Sequence, residues 1–119
     1  MERYLVLHPD GSMKWVETER RNLCKTFYDA IGCDDLENVR LWPLNFCCIV
    51  DGCGKVKANP QPLNPYASAL YLGSYFGDPL VGPVVFVRIE LVDGDPDWVP
   101  LRAEDLHSIE IVTGLKVPE

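Results

Sequence analysis

The sequence predicts a single α+β domain, residues 1–119, built on a mainly antiparallel sheet. Three observations support this fold class. Short β-branched segments alternate with turn-forming residues, two segments repeat apolar residues with helical spacing, and 119 residues suit one domain with its own core. The expected order is β-β-α-β-β-α-β-α. Such an order is typical of a two-layer sandwich with two to three helices packed on one face of the sheet.

The N-terminal residues predict a hairpin followed by a helix. Strand candidates Arg3–Leu7 and Met13–Glu17 flank His8–Ser12, where a proline and an Asp-Gly pair favour a tight reversal. Thr18 then offers an N-cap for a helix that ends at Gly32. The apolar positions of this helix recur every four residues and are Leu23, Phe27 and Ile31.

The middle of the chain predicts a second hairpin and a second helix. Strand candidates Glu37–Trp42 and Phe46–Asp51 flank a short loop around Pro43. Asn64 before Pro65 is a strong helix start, because asparagine caps free N–H groups and proline suits the first helical position.

The C-terminal third contains the most strand-like segment, Val84–Val92, which we expect to be a central strand. A turn signal, Asp93–Pro96, interrupts it. Leu101–His107 is expected to form a short closing helix, whereas Ile109–Val112 fits either a helix or a strand.

Composition excludes several classes of function. A net charge of −7 disfavours a nucleic-acid groove, because such grooves depend on clustered Lys and Arg. Five cysteines, two of them adjacent, indicate reduced thiols rather than a disulfide framework. The sequence predicts neither a signal peptide nor a membrane span, so we expect a cytoplasmic protein, in the host cytoplasm if the gene belongs to a phage.

The loop between the second hairpin and the second helix, Asp51–Pro65, is the first candidate site. Its Gly-Cys-Gly-Lys segment lacks the spacing of a phosphate-binding P-loop, and a simple turn after the strand is the structural alternative. The loop nevertheless gathers residues suited to an anionic ligand beside a helix start. These candidates are Asp51, Lys55, Lys57, Asn59 and Asn64.

A second candidate is a sheet face on which aromatic residues alternate with arginines. Arg40, Trp42, Phe86 and Arg88 fall on the same phase of two strand candidates. If that face is uncovered, it would form an oligomer interface, or a pocket where an aromatic ring stacks on a base and an arginine pairs with phosphate. Core packing is the alternative for the aromatic residues.

No complete catalytic or metal-binding motif is present. The cysteines and histidines lack zinc-ligand spacing, and no serine-hydrolase elbow occurs. Cys53, in a glycine-rich turn, is the thiol expected to be most exposed and reactive. We therefore expect a protein that is not an enzyme and needs no cofactor.

Several segments together resemble a bacterial and phage family known as domain of unknown function 3846. They are LVLHPDG, YDAIGC, CIVDGCGK, QPLNPYAS and GPVVFV, within residues 4–92. The most specific matches are Asp51, Gly54, Pro62, Asn64 and Ala67, with Gly82 leading into the last strand. The resemblance supports the fold and the importance of the loop. It implies an accessory role in phages and mobile elements, without transferring an activity.

Two functional hypotheses remain at the level of sequence. One is a small binding protein, expected to be homo-oligomeric, that sequesters a nucleotide-like or other anionic small molecule and thereby counters a host defence. The other is a protein-interaction module that inhibits a host factor through its acidic surface. An enzyme using Asp51 and Lys55 is the alternative to both.

Overall fold

A computed structural model describes residues 1–56 and 60–119. The described residues form six strands, three α-helices and two 3-10 turns, at Arg20–Asn22 and Leu72–Phe76. The elements are β1 (Glu2–Leu7), β2 (Met13–Thr18), α1 (Leu23–Ile31), β3 (Leu36–Arg40), β4 (Cys47–Asp51), α2 (Pro65–Leu70), β5 (Val84–Val92), β6 (Asp95–Val99) and α3 (Ala103–Thr113).

All strand pairs are antiparallel, and the sheet order is β2-β1-β5-β4-β3, with β6 paired to the outer part of β5. The predicted α+β class, the antiparallel sheet and the central position of Val84–Val92 are thus confirmed. The structure contains no helix long and apolar enough to cross a membrane within the described ranges.

The helices are divided between the two faces of the sheet, whereas the sequence predicted them on one. Helix α1 packs on one face, the α1 face, against Val6, Ile49 and Val85. Helices α2 and α3 cover the opposite face, over Leu7 and Phe86. The reason lies in the central strands, which carry apolar side chains on both sides of the pleat, so that each face needs cover.

The C-terminal third differs from the sequence-based expectation in two places. The turn signal after β5 makes a tight hairpin rather than ending the sheet, because Asp93 and Gly94 both adopt positive φ values, 53° and 88°. Both residue types tolerate this conformation, which matches strand twist in two-residue turns. The segment Ile109–Val112, which fitted either a helix or a strand, lies in the second half of α3, and its Ile109 side chain is buried against the sheet.

Candidate functional site

The loop after β4 begins with a turn fixed by Asp51. Its carboxylate Oδ1 accepts a hydrogen bond from the Cys53 backbone N–H at 2.9 Å, and its carbonyl accepts one from the Gly54 N–H at 3.1 Å. The side chain is buried at the end of the strand. The Gly-Cys-Gly-Lys segment therefore forms a local turn, as the structural alternative proposed.

A polar pocket of about 220 Å3 lies beside this turn. Lys55 forms an ion pair with Asp78, and the Tyr71 hydroxyl donates a hydrogen bond to the same carboxylate at 3.4 Å. The bond from Lys55 lowers the pKa of Asp78. Burial, followed by the charge of Asp78, raises the pKa of Tyr71. The structure thus brings Asp51 and Lys55 to one pocket, with Lys55 already engaged.

The charge balance of the polar pocket does not favour an anion. Among the lining residues that the structure describes, Glu37, Asp51 and Asp78 carry carboxyl groups and Lys55 carries the one ammonium group. A phosphate entering here would displace Asp78 from Lys55 and meet the remaining carboxylates. The described part of the polar pocket therefore favours a neutral or cationic group over an anion.

Asn64 is fully used within the fold. Its Oδ1 accepts from the Ala67 N–H at 3.0 Å and caps α2, while its Nδ2 donates to the carbonyls of Leu7 at 3.1 Å and Gly82 at 2.9 Å. The side chain is completely buried. Asn64 therefore joins α2 to β1 and to Gly82 just before β5, and both N–H donors of its side chain are used. Lys57 and Asn59 lie outside the described residues.

The arginines and aromatic residues of the second candidate site do not share one face. Phe86 is buried under α2 and α3, and Arg88 lies on the same face. Arg40 lies on the α1 face, because it is the cross-strand partner of Cys47. Trp42 follows β3 and is 64% exposed. The register separates Arg40 from Phe86, because Cys47 pairs with Arg40 on one side and with Val87 on the other. Trp42 follows neither face, because β3 ends at Arg40.

Arg88 is held by α3 rather than left open to phosphate. Its Nε and Nη2 donate to the two carboxylate oxygens of Asp105 at 2.6 and 2.9 Å. Asp105 also accepts from the Arg102 backbone N–H at 2.9 Å, which completes the start of α3. This bidentate pair, almost entirely buried, docks the helix on β5.

The structure reveals a second cavity, of about 440 Å3, on the α1 face. We call it the arginine groove. It lies between the start of α1 and the β5–β6 hairpin, and its apolar floor is formed by Leu23, Ile89 and Trp98. The remaining lining residues are Arg20, Arg21, Cys24, Pro96 and Asp97.

Arg20 and Arg21 have different roles in the arginine groove. Arg20 is fixed, because its guanidinium donates to Glu2 at 3.0 Å, to Asp97 at 2.7 Å and to the Trp98 carbonyl. Arg21 is 80% exposed and pairs only with the exposed Glu19, among the ion pairs that the structure describes. Exposed pairs of this kind contribute little stability, so Arg21 can exchange Glu19 for a ligand.

Trp98 supplies the rigid part of the groove. Its ring packs 5.6 Å from the ring of Phe27 in α1, and its backbone pairs with Ile89 of β5. The sequence did not identify this site because it predicted a turn at Asp93–Pro96 and no strand at β6. The adjacent arginines Arg20 and Arg21, in the first turn of the predicted helix, were the one signal that could have located it.

The expectation that Cys53 is the most exposed thiol is wrong, because Cys24 is exposed and Cys53 is half-buried. Its thiol donates to the Asp35 carboxylate at 3.5 Å, and this hydrogen bond raises the pKa of Cys53 above its ordinary value. A higher thiol pKa means less thiolate at neutral pH. Among residues 1–56 and 60–119, no cluster of histidine, cysteine and carboxylate side chains could hold a metal ion.

Models of known protein families, curated protein sequences and solved structures were each compared with the chain, and none of them matched.

Proposed function

We propose that this chain is a small, non-enzymatic binding protein that sequesters a nucleotide-like anionic molecule in the arginine groove. The observation that carries the proposal is the pairing of an exposed guanidinium, Arg21, with an apolar floor at Ile89 and Trp98. The floor would contact a planar ring, and Arg21 would pair with a phosphate or carboxylate. The groove would thus contact both the base and the phosphate of a nucleotide.

The size and position of the groove support the same proposal. A volume of about 440 Å3 lies within the roughly 300–1,000 Å3 of small-molecule sites. The lining of the groove carries two arginines and one carboxylate, Asp97, on a chain whose net charge is −7. An anionic ligand would therefore be directed here rather than to the polar pocket beside Lys55, where carboxylates predominate.

The resemblance to domain of unknown function 3846 indicates the biological context of this activity. It supports an accessory protein of a phage or mobile element, in the host cytoplasm, where sequestration of a nucleotide-like signal would counter a host defence.

The test is ligand release. The purified protein is incubated with a cell extract, washed and denatured, and the released compounds are identified by mass spectrometry. We expect a nucleotide-like anion from the wild type and loss of it from Arg21→Glu. The matched control is Lys25→Glu, which makes the same charge change at an equally exposed position, 79% against 80%, outside the groove. An empty release, or equal loss in the control, would contradict the proposal.

A second candidate function is a protein-interaction module acting on a host factor. Its support is an exposed aromatic pair after α2, Tyr75 at 73% and Phe76 at 81%, which is unusual on a surface without partners. The acidic surface expected to contribute includes the exposed Asp34 and Asp35. Recovery of one stoichiometric protein partner, lost in Phe76→Ser but retained in Ile111→Ser, would favour this function over ligand sequestration.

A further inference from the structure

The β5 strand extends beyond the two strands beside it. β1 pairs with Val84 and Val85, and β4 pairs with Val85–Val87. In the described part of the chain, Arg88–Val92 pair with β6 alone. β6 lies on the side of β1, since Arg20 joins Glu2 of β1 to Asp97 of β6. The outer half of β5 therefore has an open edge on the side of β4.

A notch of about 330 Å3 lies at this open edge, between the β5–β6 hairpin and the β3–β4 hairpin. It is lined by Arg40, Leu44, Asn45, Phe46, Cys47 and Ile89. Ile89 and Leu91 lie on the α1 face of the edge and are 46% and 74% exposed. An open edge with exposed apolar side chains is a template for pairing with another strand.

The charges around this edge are complementary to one another. The tip of the β5–β6 hairpin carries Asp93 and Asp95, both exposed. Arg40, at the other end of the notch, is exposed on the α1 face. The acidic and basic ends are separated by the length of the open edge. An antiparallel copy of the same edge would therefore bring each acidic tip to the Arg40 of the other copy.

We propose that two copies of this chain pair through the open edges of β5, forming a twofold-symmetric dimer with one continuous sheet. The twofold axis passes through Glu90, so that Glu90 of one copy lies opposite Glu90 of the other. Ile89 then faces Leu91 of the second copy, twice across the interface, which buries all four apolar side chains. Arg102 bonds to Glu90 at 2.7 Å within each copy, which offsets the repulsion between the two Glu90 carboxylates.

Neighbouring registers are disfavoured by the same residues. An axis at Ile89 would bring Leu91 of the second copy opposite Val87, whose edge is already paired with Cys47. An axis at Leu91 would set Ile89 against Asp93 of the second copy, an apolar residue against a carboxylate. The register centred on Glu90 keeps apolar pairs together and leaves β4 in place.

The dimer is tested by sedimentation velocity across the micromolar range. We expect the wild type to dimerise and Leu91→Asp to be monomeric, since the substitution places carboxylates opposite Ile89. The control is Ile111→Asp, the same change at a similarly exposed residue of α3, 68% against 74%, which should leave the dimer intact. A monomeric wild type, or equal effects of the two substitutions, would overturn the proposal.

A cross-link tests the register and does not depend on how well Leu91→Asp folds. Glu90→Cys places two thiols directly opposite each other, within reach of a disulfide. In a Cys24→Ser background, which removes an exposed thiol, mild oxidation should link this variant into covalent dimers. Ile111→Cys should remain monomeric on a denaturing gel. Failure of Glu90→Cys to cross-link would overturn the register. Ile89 lines both the notch and the arginine groove, whereas Arg21 lines the groove alone, so an Arg21→Glu variant that still dimerises separates a lost ligand from a lost dimer.

Discussion

Replacing Asn64 with alanine should destabilise the fold far more than the loss of a helix cap. The cap alone, Oδ1 to the Ala67 N–H, is worth about 1 kcal/mol. The substitution also removes the donor to two carbonyls, of Leu7 and Gly82, in a completely buried position. Each lost buried partner costs about 1–3 kcal/mol, so we expect a total of about 3–7 kcal/mol.

The measurement is urea unfolding at equilibrium, in which the midpoint should fall with the m-value unchanged. Asn64→Asp separates the two contributions, because it keeps the acceptor for the cap but turns a carboxylate toward the two carbonyls. It should be nearly as unstable as the alanine variant at neutral pH. Asn38→Ala, an exposed change in β3, is the control and should have little effect. A loss near 1 kcal/mol for Asn64→Ala would refute the central role of the two carbonyl contacts.

Three further predictions concern charged and reactive groups. Arg88→Met should cost about 3–5 kcal/mol in urea unfolding, because Asp105 is left buried and charged, whereas Arg102→Met, at an exposed pair, should cost at most about 1 kcal/mol. Lys55 lowers the pKa of Asp78, so the ion pair stabilises the folded state at pH values above the ordinary carboxyl pKa of about 4. This contribution disappears as the pH falls through the lowered pKa of Asp78. Lys55→Met should raise the Asp78 pKa toward its ordinary value in an NMR titration, and an unchanged value would exclude the ion pair. Asp35→Asn should accelerate alkylation of Cys53 near pH 8, since the bond that raises its pKa weakens; an unchanged rate would show that Asp35 does not control this thiol.

Local signals in the sequence were sufficient for most of the elements. The four-residue spacing of Leu23, Phe27 and Ile31 located α1, and the Asn64-Pro65 pair located the start of α2. The layering was not predictable from the same signals. A short apolar run looks the same in the sequence whether one face of the strand is buried or both. The side of the sheet that α1 occupies therefore depends on tertiary packing.

The candidate site was less predictable, because it depends on pairing between distant segments. Lys55 and Arg88 looked available in the sequence, yet each is engaged by a carboxylate far along the chain, Asp78 and Asp105. Arg20 and Trp98 are brought together only by the β5–β6 hairpin. Contacts between residues so far apart in the chain leave no periodic pattern in the sequence.

Protection of Cys24 tests the arginine groove most directly. This exposed thiol lines the groove, whereas Cys53 lies beside the other pocket-forming loop and serves as an internal reference. The compound released from the wild-type protein is added back, and the alkylation of each cysteine is followed by mass spectrometry. The account predicts that the compound slows the labelling of Cys24 and leaves the rate at Cys53 unchanged. Unchanged labelling of Cys24 in protein saturated with the compound would contradict it.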